Sequence, residues 1–228
     1  MALQIQTFKT RTITAFVFVI IMFAGLFTSQ FSFISLFGII MLGCLYEFIK
    51  LIKRIHPQRY LLFLSISIIY IVLPLAMMID LGIHSKNTLS NGTFLPLFSC
   101  FIIFSIWIND TMAYIVGSFF GKTPLSIISP KKTLEGTIGG IILCILIMGV
   151  AGIKISTAQQ ITPIHWFLIA ALCAIAGTYG DLFESKLKRM ANVKDSGSFM
   201  PGHGGFLDRF DSMLFAIPAV WIYLKLFL

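Results

Sequence analysis

Residues 135–153 read EGTIGGIILCILIMGVAGI, a stretch whose only charged side chain stands at its first position. Six further apolar runs lie at about 12–28, 31–52, 60–80, 94–120, 163–183 and 211–228. A helix needs about 20 mostly apolar residues to cross the hydrocarbon core of a bilayer. The pattern therefore predicts an all-α, polytopic integral membrane protein with about seven transmembrane helices and short loops. The run at 94–120 carries Asn109 and Asp110 in its middle, and an eighth helix follows if this run is a broken pair.

The composition excludes an ordinary soluble domain. Of the 228 residues, 57% are hydrophobic and 11% are charged, whereas a typical soluble domain is about half apolar and about a quarter charged. A disordered chain is excluded as well, because disorder needs low hydrophobicity. The apolar runs leave no room for a separate soluble catalytic domain, so any chemistry must take place at the membrane.

The positive charges predict the orientation of the chain. There are 17 Lys and Arg residues against 9 Asp and Glu residues, a net charge of +8. Most of the basic residues lie in every second loop between the apolar runs. The second loop has Lys50, Lys53, Arg54 and Arg59, the fourth has Lys122, Lys131 and Lys132, and the sixth has Lys186, Lys188, Arg189, Lys194 and Arg209. Basic loops of membrane proteins stay in the cytoplasm, so we expect the amino terminus inside. The same bias explains the net charge without a nucleic-acid partner.

The acids cluster in the second half of the chain, where seven of the nine lie between residues 110 and 211. A carboxylate at bilayer depth costs about 3 kcal/mol on insertion scales. Such groups persist mainly where they bind a cation, relay a proton or pair with a base, and simple pairing remains the alternative for any one of them. Glu47 stands outside this cluster, so its replacement by Gln is expected to leave activity intact.

Two polar segments accompany these acids. Residues 194–205 form a loop rich in Gly, Ser and Pro between Asp181 and Asp208, and residues 129–136 read SPKKTLEG. Backbone N–H groups, hydroxyls and lysines bind phosphates, whereas carboxylates hold a hard cation such as Mg²⁺. The second segment is equally typical of a helix N-cap followed by a cytoplasmic anchor. Together the segments favour Mg²⁺-dependent phosphoryl or nucleotidyl transfer at the cytoplasmic boundary.

The most specific pattern spans residues 185–211. It consists of SKLKR at 185–189, KD at 194–195 and PGHGGFLDRFD at 201–211. This pattern resembles the signature of the CDP-diacylglycerol synthase (phosphatidate cytidylyltransferase) family. The segments 11–15, 110–117 and 129–136 resemble that family too, so the similarity covers most of the chain. Met200 departs from the pattern, which usually has Leu, Ile or Phe at that position.

The resemblance implies transfer of CMP from CTP to phosphatidic acid, giving CDP-diacylglycerol and pyrophosphate, with Mg²⁺ as cofactor. It implies one transmembrane cytidylyltransferase domain over 1–228, with its catalytic part at about 105–228. The resemblance further implies a bacterial inner-membrane protein whose active site faces the cytoplasm. A second cation and a homodimer are compatible with the resemblance. A CTP-dependent lipid kinase and an ion-coupled transporter are the alternative functions.

The resemblance also implies roles for individual residues. Asp181 and Asp208 are the expected metal ligands, and together with Lys188 they form the expected catalytic set. The expected substrate-binding residues are Ser129, Lys131, Lys132, Thr133, Glu135, Arg189, Lys194, Asp195, His203, Arg209 and Asp211.

Overall fold

The computed structural model describes residues 5–84, 94–159, 161–200, 202 and 204–228. Its helical segments are α1 (Ile5–Phe27), α2 (Gln30–Ile55), α3 (Tyr60–His84), α4 (Leu97–Phe120), α5 (Leu134–Gln159), α6 (Pro163–Met190) and α7 (Leu207–Phe227). The third segment is composite, with a 3₁₀ turn at Tyr60–Phe63, an α-helical turn at Leu64–Ser67, a π turn at Ile68–Val72 and an α-helix at Leu73–His84. Within the described ranges, isolated bridges are present but no strand is formed.

Six of these segments, α2 to α7, are long and apolar enough to cross a membrane. The apolar part of α1 that can be described, Thr12–Phe27, is shorter. The prediction of an all-α polytopic membrane protein is therefore confirmed. The run at 94–120 contains a single helix, α4, which continues through Asn109 and Asp110 without a break.

The chain divides into two compact units. The first unit comprises Met1–Leu97 and Leu187–Phe210, and the second comprises Phe98–Lys186 and Asp211–Leu228. The prediction that residues 1–228 form one domain, with its catalytic part at about 105–228, stays a prediction.

Helix α2 is the central element of the first unit. Its start is set by a capping box, in which the Ser29 hydroxyl accepts the Ser32 N–H at 3.1 Å and the Ser32 hydroxyl accepts the Ser29 N–H at 2.9 Å. Such reciprocal bonds satisfy amides that have no partner within the helix. The buried face of α2 follows the helical period and consists of Phe33, Leu36, Phe37, Ile40, Cys44, Glu47, Phe48, Leu51 and Ile52. One carboxylate thus lies in an otherwise apolar stripe.

Helices α4 and α5 approach each other closely in the second unit. A Cβ added to Gly136 would lie 2.8 Å from the Cα of Gly117, and one added to Gly140 would lie 2.7 Å from the Cβ of Ala113. Small residues permit such close backbone contact between membrane helices. The contact brings Gly117, near the end of α4, beside Thr133, which precedes α5.

Candidate active site

The second unit contains a polar cavity of about 600 Å³. It is lined by Asn109, Asp110, Ala113, Tyr114, Gly117, Ser118, Lys131, Lys132, Thr133, Thr137, Thr178 and Asp181. Four of the predicted site residues, Lys131, Lys132, Thr133 and Asp181, are therefore brought together here. Asp110 belongs to a segment that resembles the family, but it was not among the predicted site residues.

The α4–α5 loop, residues 121–133, is folded back on itself by backbone and side-chain bonds. The Leu125 N–H donates to the Lys132 carbonyl at 2.8 Å, and the Leu134 N–H donates to the Thr123 carbonyl at 2.9 Å. The Glu135 carboxylate accepts the N–H groups of Lys122 and Thr123 at 3.1 Å. Glu135, predicted to bind substrate, thus holds the loop that carries the lysines.

Lys132 is directed at α6, where its ammonium group donates a hydrogen bond to Oδ2 of Asp181. Burial lowers the pKa of Lys132, but the attraction of Asp181, supported by Asp110 and Asp211, raises the pKa by more, so that it lies above its ordinary value. Lys132 therefore remains a cation. The cavity presents a fixed positive charge next to carboxylates, an arrangement suited to a ligand that carries phosphates.

The first unit contains the second group of predicted residues. The Asp208 carboxylate accepts the Lys188 ammonium at Oδ1, with a distance of 2.7 Å. Its Oδ2 accepts the N–H groups of Ser196 and Gly205, each at 2.8 Å, and lies 2.9 Å from the hydroxyl oxygen of Ser196. The side chains of Lys188 and Asp208 are only 13% and 5% exposed. Oδ2 is thus anchored by the loop, and Oδ1 faces the lysine.

The α6–α7 loop, residues 191–206, turns at positions with unusual backbone angles. Asn192 has φ 53°, which ends α6, and the Val193 N–H donates to the Lys188 carbonyl at 2.9 Å. Gly204 has φ 87°, a conformation that glycine adopts without a steric penalty. A Cβ on Gly204 would also lie 2.6 Å from Oδ2 of Asp208. The glycine lets the loop close around this carboxylate.

Glu47 belongs to this group, and the expectation that it lies outside the acidic cluster is wrong. Its carboxylate accepts the Ser196 hydroxyl at 2.7 Å, the Phe206 N–H at 3.0 Å and the Leu207 N–H at 2.9 Å. The residue is 4% exposed. Sequence spacing gives no sign of this contact, because 149 residues separate Glu47 from Ser196. What the sequence does show is one acidic residue within the apolar run at 31–52.

The remaining predicted residues differ in their burial and in their contacts. Arg189, Lys194, Asp195 and Arg209 are exposed, whereas Asp211 is buried in the second unit. Ser129 accepts the Lys132 N–H through its carbonyl at 3.1 Å, so it shapes the α4–α5 loop. His203 lies outside the described residues.

Among the described residues, no group of three or more His, Cys, Asp or Glu side chains is arranged to hold a metal ion alone. Mg²⁺ usually takes one or two protein carboxylates and completes its shell with water and substrate phosphate oxygens. Asp181 in the second unit and Asp208 in the first each offer one carboxylate, and each carboxylate is paired with a lysine.

Comparison with known proteins agrees with these features. The model of the cytidylyltransferase family matches residues 9–99 and 76–227. The chain is 33% identical to the phosphatidate cytidylyltransferase of Bacillus subtilis, over 99% of the chain and 83% of that protein. It is 40% identical to that of Thermotoga maritima over 58% of the chain and 53% of the relative, and 45% identical to that of Synechocystis over 54% and 41%. The chain belongs to the cytidylyltransferase family, as its signature indicates.

Proposed function

We propose that this protein transfers CMP from CTP to phosphatidic acid, which yields CDP-diacylglycerol and pyrophosphate. The observation that carries the proposal is the polar cavity of the second unit, where Lys132 of the α4–α5 loop meets Asp181 of α6. Its volume of about 600 Å³ lies within the range of small-molecule sites. Family membership supplies the identity of the substrates.

The reaction joins two anions. A phosphate oxygen of the lipid attacks the α-phosphorus of CTP, the new P–O bond forms, and the bond to the β-phosphate breaks so that pyrophosphate leaves. Lys131 and Lys132 reduce the repulsion between the substrates, because each places a positive charge at the cavity. The lipid phosphate is already ionised at neutral pH, so no strong general base is required.

We further propose that Asp181 and Asp208 hold Mg²⁺. Bound there, the ion would neutralise phosphate charge during the transfer. Oδ2 of Asp208 accepts two backbone N–H groups and lies beside the Ser196 hydroxyl, whereas Oδ1 has Lys188 as its partner and is the oxygen suited to a ligand. Lys188, Arg189, Lys194 and Arg209 are proposed to bind phosphates from the α6–α7 side.

The basic loops support a cytoplasmic position for the site, since CTP is a cytosolic nucleotide and loops rich in lysine stay inside. We therefore propose that the protein lies in a bacterial inner membrane with this face in the cytoplasm. A homodimer stays a prediction.

Product analysis tests the function. Purified protein is incubated with Mg²⁺, phosphatidic acid in mixed micelles, and CTP labelled at either the α- or the γ-phosphate. We expect label from the α-position in the lipid and release of pyrophosphate. Label from the γ-position in the lipid would show a lipid kinase instead, and no labelled lipid with either nucleotide would contradict both reactions and favour a transporter.

A further inference from the structure

Glu47 is a buried carboxylate to which the transfer step proposed above assigns no role. It lies in the transmembrane helix α2, with 4% of its surface exposed. A carboxylate persists at such a place only when its hydrogen-bonding capacity is used. The donors that use it come from the hydroxyl of Ser196 and the N–H groups of Phe206 and Leu207.

These donors come from both ends of the same segment. Ser196 lies near the start of the α6–α7 loop, and Phe206 and Leu207 lie where the loop ends and α7 begins. Two glycines complete the enclosure, since a Cβ added to Gly197 or Gly205 would overlap the Glu47 carboxylate. The loop is therefore closed around a side chain that comes from a distant part of the chain.

Ser196 connects Glu47 to the predicted catalytic carboxylate. Its hydroxyl oxygen lies 2.7 Å from Oε2 of Glu47 and 2.9 Å from Oδ2 of Asp208. The N–H groups of Ser196 and Gly205 also donate to Oδ2 of Asp208. The backbone that Glu47 fixes is thus the backbone that anchors Asp208, and Asp208 in turn binds Lys188.

We propose that Glu47 is a positioning residue, which acts through residues 196–207 to place the carboxylate of Asp208 and the ammonium of Lys188 for the transfer step. The reaction concerned is the one given under Proposed function, and the inference rests on that function. Groups that orient site ligands in this way typically change affinity or activity about 10–100-fold when they are replaced.

Glu47→Gln is the informative replacement, because it keeps the size of the side chain. Oε1 accepts the Phe206 N–H and Oε2 accepts the Leu207 N–H. An amide has one NH₂ group, which would face one of these N–H donors in either orientation. One backbone donor therefore loses its acceptor, and the loop loosens where it joins α7.

The experiment uses the full chain in detergent and compares wild type, Glu47→Gln, Ser196→Ala and the double variant. Asp80→Asn is the matched control, since Asp80 lies on α3 and pairs with His84. Three quantities are measured: thermal unfolding, amide hydrogen exchange of the peptide covering 196–207, and kcat with KM for phosphatidic acid.

For Glu47→Gln we expect folded protein, faster exchange in 196–207, kcat lowered about 10–100-fold and unchanged KM. The double variant should be no slower than Glu47→Gln, because the two residues act in one chain of contacts. Asp80→Asn should match wild type.

Several results would overturn the inference. Unchanged exchange in Glu47→Gln would show that the carboxylate does not hold the loop, and faster exchange with a wild-type kcat would reduce Glu47 to a structural role. If Glu47→Gln does not fold, Ser196→Ala decides, and a wild-type kcat in folded Ser196→Ala refutes the link to Asp208. A wild-type protein without transfer activity would contradict the proposed function, whereas the exchange data would still show whether Glu47 holds the loop.

Discussion

Asp208→Asn is the replacement whose effect the structure specifies in most detail. The substitution keeps the shape of the side chain and removes its charge. Asp208 accepts one hydrogen bond at Oδ1, from Lys188, and two backbone hydrogen bonds at Oδ2, which also lies 2.9 Å from the Ser196 hydroxyl oxygen. The amide NH₂ must therefore face either the Lys188 ammonium or the donors of Ser196 and Gly205, and neither orientation restores the native contacts.

The magnitude follows from burial. The side chains of Lys188 and Asp208 are 13% and 5% exposed, and removing one partner of a buried ion pair costs about 3–5 kcal/mol. We expect the free energy of unfolding to fall by about 3 kcal/mol, at the lower end of that range. Turnover should fall by at least about 100-fold, because the substitution also removes a proposed metal ligand.

Two measurements on purified protein check these numbers: thermal unfolding, and transfer of label from the α-phosphate of CTP to lipid.

Adding Lys188→Met to Asp208→Asn removes the unpaired charge, so that double variant should regain stability without regaining activity. Combining Asp208→Asn with Asp181→Asn should be little worse than either single variant, since residues that act as a unit are not additive. Near-normal Mg²⁺-dependent turnover in Asp208→Asn would refute the reasoning.

Two further predictions concern the lysines and the topology. Replacing Lys131 and Lys132 together by Gln should lower the rate of CMP transfer, because the cavity loses both of its lysines, while membrane insertion is retained. Unchanged kinetics for CTP and phosphatidic acid would contradict a role of these lysines in phosphate binding. Cysteines placed in the loop 121–133 or in the segment 184–210, which contains the α6–α7 loop, should resist a membrane-impermeant reagent applied from outside, whereas one placed next to His84 should react. External labelling of either loop would contradict the orientation.

The helices could be predicted from the sequence because their apolar runs are long and separated by short polar segments. The run at 94–120 is compatible with one helix or with a broken pair, because Asn109 and Asp110 interrupt its apolar pattern. Helix α4 continues through them because Asp110 and Asn109 line the polar cavity. A polar pair in mid-helix is tolerated when it faces a cavity instead of lipid.

The candidate site was predictable only in part. Residues 129–136 and 185–211 could be assigned because their residue types suit phosphates and a cation, and the structure places Lys132 beside Asp181 and Lys188 beside Asp208. Glu47 was missed because its role depends on a contact across 149 residues of sequence. Local spacing contains no information about such a contact, and only the placement of α2 in the fold reveals it.

We propose that the chain transfers CMP to lipid at the cavity that contains Asp181. The most direct measurement compares lipid labelling from α-labelled CTP by wild type and by Asp181→Asn, with equal amounts of folded protein. We expect labelled CDP-diacylglycerol from wild type and almost none from Asp181→Asn. Equal labelling by the two proteins, or no labelling by wild type in the presence of Mg²⁺ and phosphatidic acid, would contradict it.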